Sequence, residues 1–520
     1  MSNDTHMTKD HEQALKTVAK GAGIGFIGLI IGKIFAYLIR VFIARTLGPS
    51  DFGLISIGLA ILSIFTTFSL LGLNQGLTRM ISYYKGKNNF KKIKGAIFSS
   101  FKIVFSLSIF FSLVLFLIAD KISIIFFSEP KLINIIKIFS FALPFSVLMN
   151  LSSSSFLGFK MVKYKVYIKD IFKNISTFLL IIIFFYFSFN LLRLSLAFLL
   201  GYIISAFVGL YYLKTKIYPH LKKISKTPVW KELIGFSYTL FLSGTVALVM
   251  GYTDVLMLGY FDTISNVGIY NAALNTCILI TFVLTSFAFI FLPLITELFS
   301  KNKKKQIRKI YTTSTRWIFS IVFPIFLIFI LFPDNILRIL FGPDFVSGSL
   351  ALVILSFGFL THVSVGLSIE TITAIGKPKI NLYLNSLAAV SNFFLNLILI
   401  PIYGMVGAAI AMTSGLMLKS IFSLLYLNKK IGVQPYTRDY LKPFFSAILS
   451  SLIFYIIIKN FLSINFFTLI IGFVFFLFLY SYFLLISKGL TRDDIIILKS
   501  IENKTGLKIK WLRNIIKKFI

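Results

Sequence analysis

The feature that most constrains this chain is the length of its uncharged apolar runs. Residues 380–418 contain no charged side chain, and shorter uncharged runs occur at 138–159, 174–192, 194–213, 233–253, 263–296, 345–369 and 460–487. A helix needs about 20 mostly apolar residues to cross a bilayer. Charged residues make up only 14% of the chain, against about a quarter in a soluble domain. The sequence therefore predicts an all-α polytopic membrane protein.

The runs and their flanking charges predict fourteen transmembrane helices. Run 380–418 is too long for one crossing, and the turn signal Pro-Ile-Tyr-Gly at 401–404 divides it into a helical hairpin. The predicted spans are 21–44, 52–82, 97–118, 133–157, 170–190, 193–213, 232–258, 266–297, 308–332, 347–375, 380–400, 404–427, 440–459 and 464–487.

The net charge of +35 could suggest nucleic-acid binding, but the basic residues do not form one domain. Instead, the connections predicted on one side of the membrane hold 39 Lys and Arg residues, whereas those on the opposite side hold 6. The remaining 8 lie inside spans. Cytoplasmic loops carry such an excess of Lys and Arg. We therefore expect no nucleic-acid partner, a multi-pass protein of the plasma membrane, and cytoplasmic N and C termini.

Two similar segments predict an internal duplication. Residues 50–56 (SDFGLIS) match residues 265–271 (SNVGIYN) at an offset of 215 positions, and each lies between the first and second helix of a six-helix block. Both blocks begin on the same side, so we expect parallel lobes with pseudo-two-fold symmetry about the membrane normal. The predicted organisation is a cytoplasmic tail 1–20, an N-lobe 21–213, a basic linker 214–231, a C-lobe 232–427, two appended helices 440–487, and a basic amphipathic tail 488–520.

Several kinds of enzyme chemistry have no motif here. The sequence lacks a phosphate-binding GxxxxGK[ST] loop, HExxH and GxSxG. One cysteine, Cys277, and four histidines make a structural metal site improbable by composition. We expect no catalytic residues, no metal and no cofactor. Residues 505–520 have the pattern of a basic amphipathic helix lying on the inner leaflet.

Charged residues inside spans are the candidate functional residues, because each is costly to insert. Lys33 and Arg40 lie seven positions apart on one stripe of the first span, Arg45 lies just beyond that span, and Arg79 lies in the second span. They predict a cationic cavity for an anionic substrate, since Lys and Arg are the usual phosphate ligands. The alternative is that those near the ends extend towards headgroups. The candidates for coupling or gating are Asp254, Glu370 and Arg316.

Several motifs resemble those of the polysaccharide-biosynthesis flippases, a family of the multidrug/oligosaccharidyl-lipid/polysaccharide exporter superfamily. The segment 44–53 (ARTLGPSDFG) is similar to the family's N-terminal signature. Segment 385–415 resembles its eleventh and twelfth helices, 341–345 (FGPDF) the loop before the tenth, and 490–494 (LTRDD) the step after the fourteenth. The resemblance implies two pseudo-symmetric lobes and transport of a polyprenyl phosphate- or pyrophosphate-linked oligosaccharide to the outer leaflet.

The same resemblance implies that Lys33, Arg40 and Arg79 would hold the lipid-linked glycan. Expected partners are this anionic substrate, membrane lipids, and a glycan polymerase or glycosyltransferases of the same pathway, with the protein itself a monomer. Two alternatives remain. An ion-coupled multidrug exporter would normally carry an acid in its first lobe, where the first span has cations. A membrane glycosyltransferase or ligase would need a larger external loop.

Overall fold

The computed structural model describes residues 2–461, 466–487 and 489, which form helices and connecting turns with no strand among them. The predicted tail 488–520, with its amphipathic helix and the segment 490–494, lies outside the described residues except for Gly489. The helices are α1 (Ser2–Leu70), α2 (Leu73–Gly86), α3 (Phe90–Phe126), α4 (Lys131–Gly158), α5 (Val162–Phe187), α6 (Leu191–Leu221), α7 (Trp230–Phe261), α8 (Ile264–Ile278), α9 (Thr281–Ser300), α10 (Lys304–Leu331), α11 (Pro333–Leu340), α12 (Ser349–Ser364), α13 (Ser368–Ala374), α14 (Pro378–Ile431), α15 (Arg438–Phe461) and α16 (Phe466–Ile486).

The apolar helices confirm an all-α polytopic membrane protein. Among the described residues, ten helices are long and apolar enough to cross a membrane, and one bent pair within α8 and α9 adds an eleventh. Helices satisfy their own backbone hydrogen bonds, which the bilayer core requires. Every predicted span overlaps a described helix, although residues 464–465 of the last span lie outside the described residues. Helices α1 and α14 each contain an internal turn, and three predicted spans contain breaks, so the count of fourteen stays a prediction.

Helix α14 is a hairpin, as predicted for the long uncharged run. The backbone leaves helical geometry at Gly404, where φ is 54°. A Cβ on Gly407 would lie 2.3 Å from the carbonyl oxygen of Leu399, and one on Gly415 would lie 3.0 Å from that of Ala388. Residues 399 and 407 would be about 12 Å apart in a straight helix, so the chain folds back on itself here. A similar break at Gly48, with φ 79°, separates the first two predicted spans.

Three predicted spans are interrupted, which corrects their description as single helices. Span 52–82 breaks at Leu71 and Gly72, where φ is 45° and 70°. Span 266–297 breaks between Ile278 and Thr281, and span 347–375 breaks between Ser364 and Ser368. The first and third breaks contain positive φ, at Leu71, Gly72 and Gly366, which is incompatible with a right-handed helix. The second is a bend of 44°, and hydropathy carries no signal of either kind of break. The predicted linker 214–231 is also partly helical, since α6 continues to Leu221.

The chain forms two compact units, Met1–Asn271 and Ala272–Ile520. Unit 1 contains α1 to α7 and the start of α8, with a core drawn from α2, α3, α4 and α7 that includes Leu77, Ile93 and Leu151. Unit 2 contains an aromatic stack in which Phe323 packs on Phe319 and Phe444 at centroid distances of 4.8 and 5.0 Å. Helix α7 contacts α1, α2 and α3, so unit 1 extends beyond the predicted N-lobe, and the predicted lobe boundaries stay predictions.

The two copies of the repeated motif meet within unit 1. A Cβ on Gly53 would lie 2.2 Å from the carbonyl oxygen of Ile264, and a Cβ on Gly268 would lie 2.0 Å from that of Pro49. The two contacts are reciprocal, because positions 49 and 53 match 264 and 268 at the same 215-residue offset. An isologous contact requires such reciprocity. It supports the duplication, and parallel symmetry of the two blocks stays a prediction.

Candidate substrate site

The first span presents two different faces to its surroundings. Ile31, Ile34 and Leu38 are exposed apolar residues on one side, as expected for contact with lipid. Lys33 and Arg40 are also accessible to solvent, but at 100° per residue their stripe lies roughly 140° away around the helix. Arg40 interacts electrostatically with Tyr37 and with Tyr252 of α7. The cations therefore face other elements of unit 1, away from the apolar stripe.

Helix α5 packs closely beside the first span and runs parallel to it. Phe35 contacts Phe178 at 5.5 Å between ring centroids, and Phe42 contacts Phe185 at 5.4 Å. Between these ring pairs and the start of α5, the amide of Asn174 donates to the Gly32 carbonyl oxygen at 2.8 Å. The predicted topology alternates in direction from span to span, so it requires the first and fifth spans to run in the same direction, as they do here.

Gly32 brings the backbone of α5 next to the cationic stripe. A Cβ at this position would lie 2.5 Å from the carbonyl oxygen of Asp170 and 2.9 Å from its Cβ. The close approach occurs at a π-helical segment of α5, Tyr167–Phe172. Such π-turns inside α-helices are frequent at functional sites. Asp170 is thereby placed beside Lys33, with which it interacts electrostatically.

Three lysines of α5 join Lys33 and Arg40 in one charged cluster. Lys165 forms a 3.8 Å ion pair with Asp170. Lys169 donates to the Asn150 side-chain oxygen of α4 at 3.0 Å. Lys173 lies over the rings of Phe198 and Tyr202 of α6, at 5.6 and 5.3 Å. Lys173 also interacts electrostatically with Arg40 and Lys169.

The cluster has a large positive surplus of charge. It holds five cations and one carboxylate, namely Lys33, Arg40, Lys165, Lys169, Lys173 and Asp170. One carboxylate cannot neutralise five cations, and like charges in a medium of low dielectric repel strongly. An anion with several negative oxygens would relieve this repulsion, and Lys and Arg supply donors that suit phosphate.

The sequence alone did not identify the α5 residues. The predicted spans leave Lys165 and Lys169 in the connection between spans 133–157 and 170–190 and put Asp170 at the very start of the second of these spans, because the uncharged run begins only at residue 174. The structure extends the helix back to Val162. A signal was present: lysines at i, i+4 and i+8 occupy one face of a helix. Hydropathy measures length and composition and does not detect such a face.

The other predicted cavity residues lie elsewhere. The Arg79 guanidinium of α2 stacks on the ring of Phe236 in α7, with its central carbon 3.7 Å from the ring centroid. Arg45 lies one residue beyond the first predicted span and three residues before the break at Gly48. The structure thus brings together Lys33 and Arg40, places Arg79 on α2, and leaves Arg45 on the first helix five residues beyond Arg40. A role for Arg79 and Arg45 in substrate binding stays a prediction.

The three candidates for coupling or gating are divided between the units. In unit 1, the hydroxyl of Tyr270 donates to Asp254 at 2.5 Å, and both side chains are buried. In unit 2, Glu370 interacts electrostatically with Lys419, and Arg316 is only 5% exposed in α10. Their functional roles stay predictions. No cluster of His, Cys, Asp and Glu suited to a metal ion occurs in the part of the chain that the structure describes.

The many apolar helices and the charged cluster among them are typical of membrane transporters. The family model described as "Polysaccharide biosynthesis protein" matches residues 18–299, more than half of the chain. The protein therefore belongs to this family, within the superfamily that the sequence motifs indicated. A second model, MatE, matches residues 240–398.

Individual proteins resemble the chain over long stretches. An uncharacterized membrane protein of Methanocaldococcus jannaschii is 28% identical over 437 residues, covering 80% of this chain and 85% of that protein. The probable low-salt glycan biosynthesis flippase Agl15 of Haloferax volcanii is 28% identical, covering 41% of this chain and 47% of its own length. Among solved structures, the lipid II flippase MurJ in an inward closed conformation superposes with a TM-score of 0.68 at 18% identity, covering 88% of this chain and 97% of that one. That likeness shows a shared fold.

Proposed function

We propose that this protein is a flippase that moves a polyprenyl phosphate- or pyrophosphate-linked oligosaccharide from the cytoplasmic to the outer leaflet by alternating access. The observation that carries the proposal is the cluster of five cations around Asp170 on the first span and α5. Its family membership and the name of the related flippase of Haloferax volcanii support it. The protein transports a substrate and performs no covalent chemistry.

The cluster suits the charged link between lipid and glycan. A phosphate or pyrophosphate presents several acceptor oxygens, and Arg40 offers a guanidinium fork that binds two of them at once. The three α5 lysines supply point charges along two turns of helix, over about 12 Å, which matches an extended anion better than a single compact charge. The polyprenyl chain would remain in lipid, and the tyrosines near Arg40 would contact sugar.

The proposed function can be tested in vesicles that contain the purified protein and a lipid-linked glycan. We expect the wild type to accelerate outward flipping over protein-free vesicles, and Lys173→Gln to lower the rate about tenfold, because a lost charge-assisted hydrogen bond is worth about 1.5–3 kcal/mol. Lys163→Gln is the matched control, since Lys163 lies on the same helix and stacks on Tyr164. The absence of acceleration by the wild type would refute the proposal.

Asp170 is the observation that favours the second candidate, an ion-coupled exporter. The sequence argument against it was that the first span carries cations and no acid, and the structure now places an acid beside that span. The variant Asp170→Asn separates the two functions. A flippase should retain transport and bind anionic substrate more tightly, because a repelling charge is gone. An exporter coupled through Asp170 should lose ion-driven transport, measured with an imposed ion gradient.

The orientation of the chain is a further part of the proposal. The charge bias predicts that Ser225 and Lys303, both exposed, face the cytoplasm, and that Asp334 and Asp344 face outwards. Cys277 is the single cysteine of the chain, so it is replaced before single cysteines are introduced at these four positions. In intact cells, a membrane-impermeant thiol reagent should label the two outer positions only. Labelling at position 303 would contradict the orientation.

We also propose that the protein is a monomer in the plasma membrane and that it works beside glycosyltransferases or a glycan polymerase.

A further inference from the structure

Unit 2 contains a second concentration of cations, separate from the cluster in unit 1. A cavity of about 360 Å³ lies between the first turns of α10 and the start of α15. Its walls contain three basic residues, three threonines and one carboxylate: Arg308, Lys309, Arg316, Thr312, Thr313, Thr437 and Asp439. By the predicted topology, the flanking segments 300–309 and 428–442 face the cytoplasm, so the cavity opens at the inner leaflet.

The α10 wall of the cavity is built from one helix face. Arg308, Thr312 and Arg316 are spaced by four residues, so they stack along about 12 Å of helix. Two of them are held in place by the last residue of α14 and by the segment that follows that helix. The Nε of Arg308 donates to the Ile431 carbonyl oxygen at 2.5 Å, and the Thr312 hydroxyl donates to that of Gln434 at 3.1 Å. The Arg308 guanidinium is therefore positioned before any ligand binds.

The charges of the cavity favour an anion. Asp439 is the one carboxylate among the lining residues, and it forms a 3.0 Å ion pair with Lys442 one turn later in α15. The deepest cation, Arg316, is 5% exposed. The lining thus holds three cations against one carboxylate, together with the hydroxyl groups of Thr313 and Thr437, and these groups suit the oxygens of a phosphate group. Basic pockets between membrane helices on the cytoplasmic side bind anionic lipid headgroups.

We propose that this cavity binds a phosphate group, carried by the headgroup of an anionic membrane lipid or present as free inorganic phosphate. Arg308 and Lys309 bind it near the entrance and Arg316 at the inner end. A phosphate group fits within about 360 Å³ with room for the glycerol part of a headgroup. The site is distinct from the cation cluster of unit 1 and does not depend on the proposed transport of glycans.

The test is a thermal unfolding titration of the full chain in detergent. We expect phosphatidylglycerol to raise the unfolding midpoint of the wild type and phosphatidylcholine, whose headgroup has no net charge, to leave it unchanged. Lys309→Gln should require about tenfold more phosphatidylglycerol for the same shift, the loss expected for one charge-assisted hydrogen bond. Lys309 is exposed, so this variant should fold. Lys305→Gln, one turn earlier on α10 and outside the cavity lining, should behave as the wild type.

A parallel titration with inorganic phosphate identifies the source of the ligand. A shift at similar concentrations that Lys309→Gln weakens and Lys305→Gln does not would support the site and assign it to free phosphate. A shift with phosphatidylglycerol alone would assign it to a lipid headgroup. The proposal is overturned if neither ligand shifts the midpoint, if phosphatidylcholine acts as well as phosphatidylglycerol, or if both glutamine variants lose the response equally, because the effect would then be general surface charge.

Discussion

Replacing Arg40 by glutamine should lower transport per molecule at least tenfold while the amount of protein in the membrane stays near normal. Arg40 lies on the cationic stripe of the first span, roughly opposite the exposed apolar face formed by Ile31, Ile34 and Leu38. Its charge adds to the repulsion inside the cluster in the absence of an anion, so its removal should not weaken the fold. The loss should appear in substrate binding.

The conservative variant Arg40→Lys distinguishes binding of phosphate by the guanidinium group from a requirement for positive charge alone. Arg40→Lys keeps the charge but loses the planar fork that binds two phosphate oxygens together, so we expect partial recovery. Lys33→Gln should also lower transport, and the double variant should be more severely affected. The measurement is glycan delivered to the outer leaflet per molecule of inserted protein. If Arg40→Gln and Lys33→Gln, alone and combined, transport as the wild type does, the cationic-site mechanism is wrong.

A single methyl group at Gly268 should destabilise the protein by at least about 2 kcal/mol, at the upper part of the range for overpacked cores. The Cβ of Gly268→Ala would lie 2.0 Å from the Pro49 carbonyl oxygen and 3.0 Å from the Gly53 backbone nitrogen. Both obstructing atoms belong to backbone, which cannot rotate away as a flexible side chain can. Gly53→Ala should act similarly, because its Cβ would lie 2.2 Å from the Ile264 carbonyl oxygen.

A matched control is available on the neighbouring helix. Gly235 lies within α7 with no atom within 4 Å of the Cβ position, so Gly235→Ala should leave stability unchanged or raise it, because alanine favours helix. Thermal unfolding and the yield of monodisperse protein in detergent would measure both variants. If Gly268→Ala and Gly235→Ala were equally stable, the close contact between the two motif copies at Gly268 and Pro49 would be contradicted.

The sequence by itself determined the class of the protein. Uncharged runs such as 380–418 can be stable only in a membrane, because water penalises exposed apolar surface and the bilayer core requires helices. The turn at residues 401–404 was predictable because Pro and Gly act locally, through a missing N–H and a freely accessible positive φ. The repeat at residues 50–56 and 265–271 was visible because the sequence similarity needs no knowledge of contacts.

Only the tertiary structure decided which charged residues act together. Lys33 and Arg40 were found from spacing within one helix, whereas Lys165, Lys169 and Asp170 join them through the packing of α5 on the first span at Gly32. That contact joins residues more than 130 positions apart, and hydropathy contains no record of it. The breaks at Gly72 and between Ser364 and Ser368 were missed for a related reason. Positive φ there is stabilised by neighbouring helices, and the local sequence does not specify those neighbours.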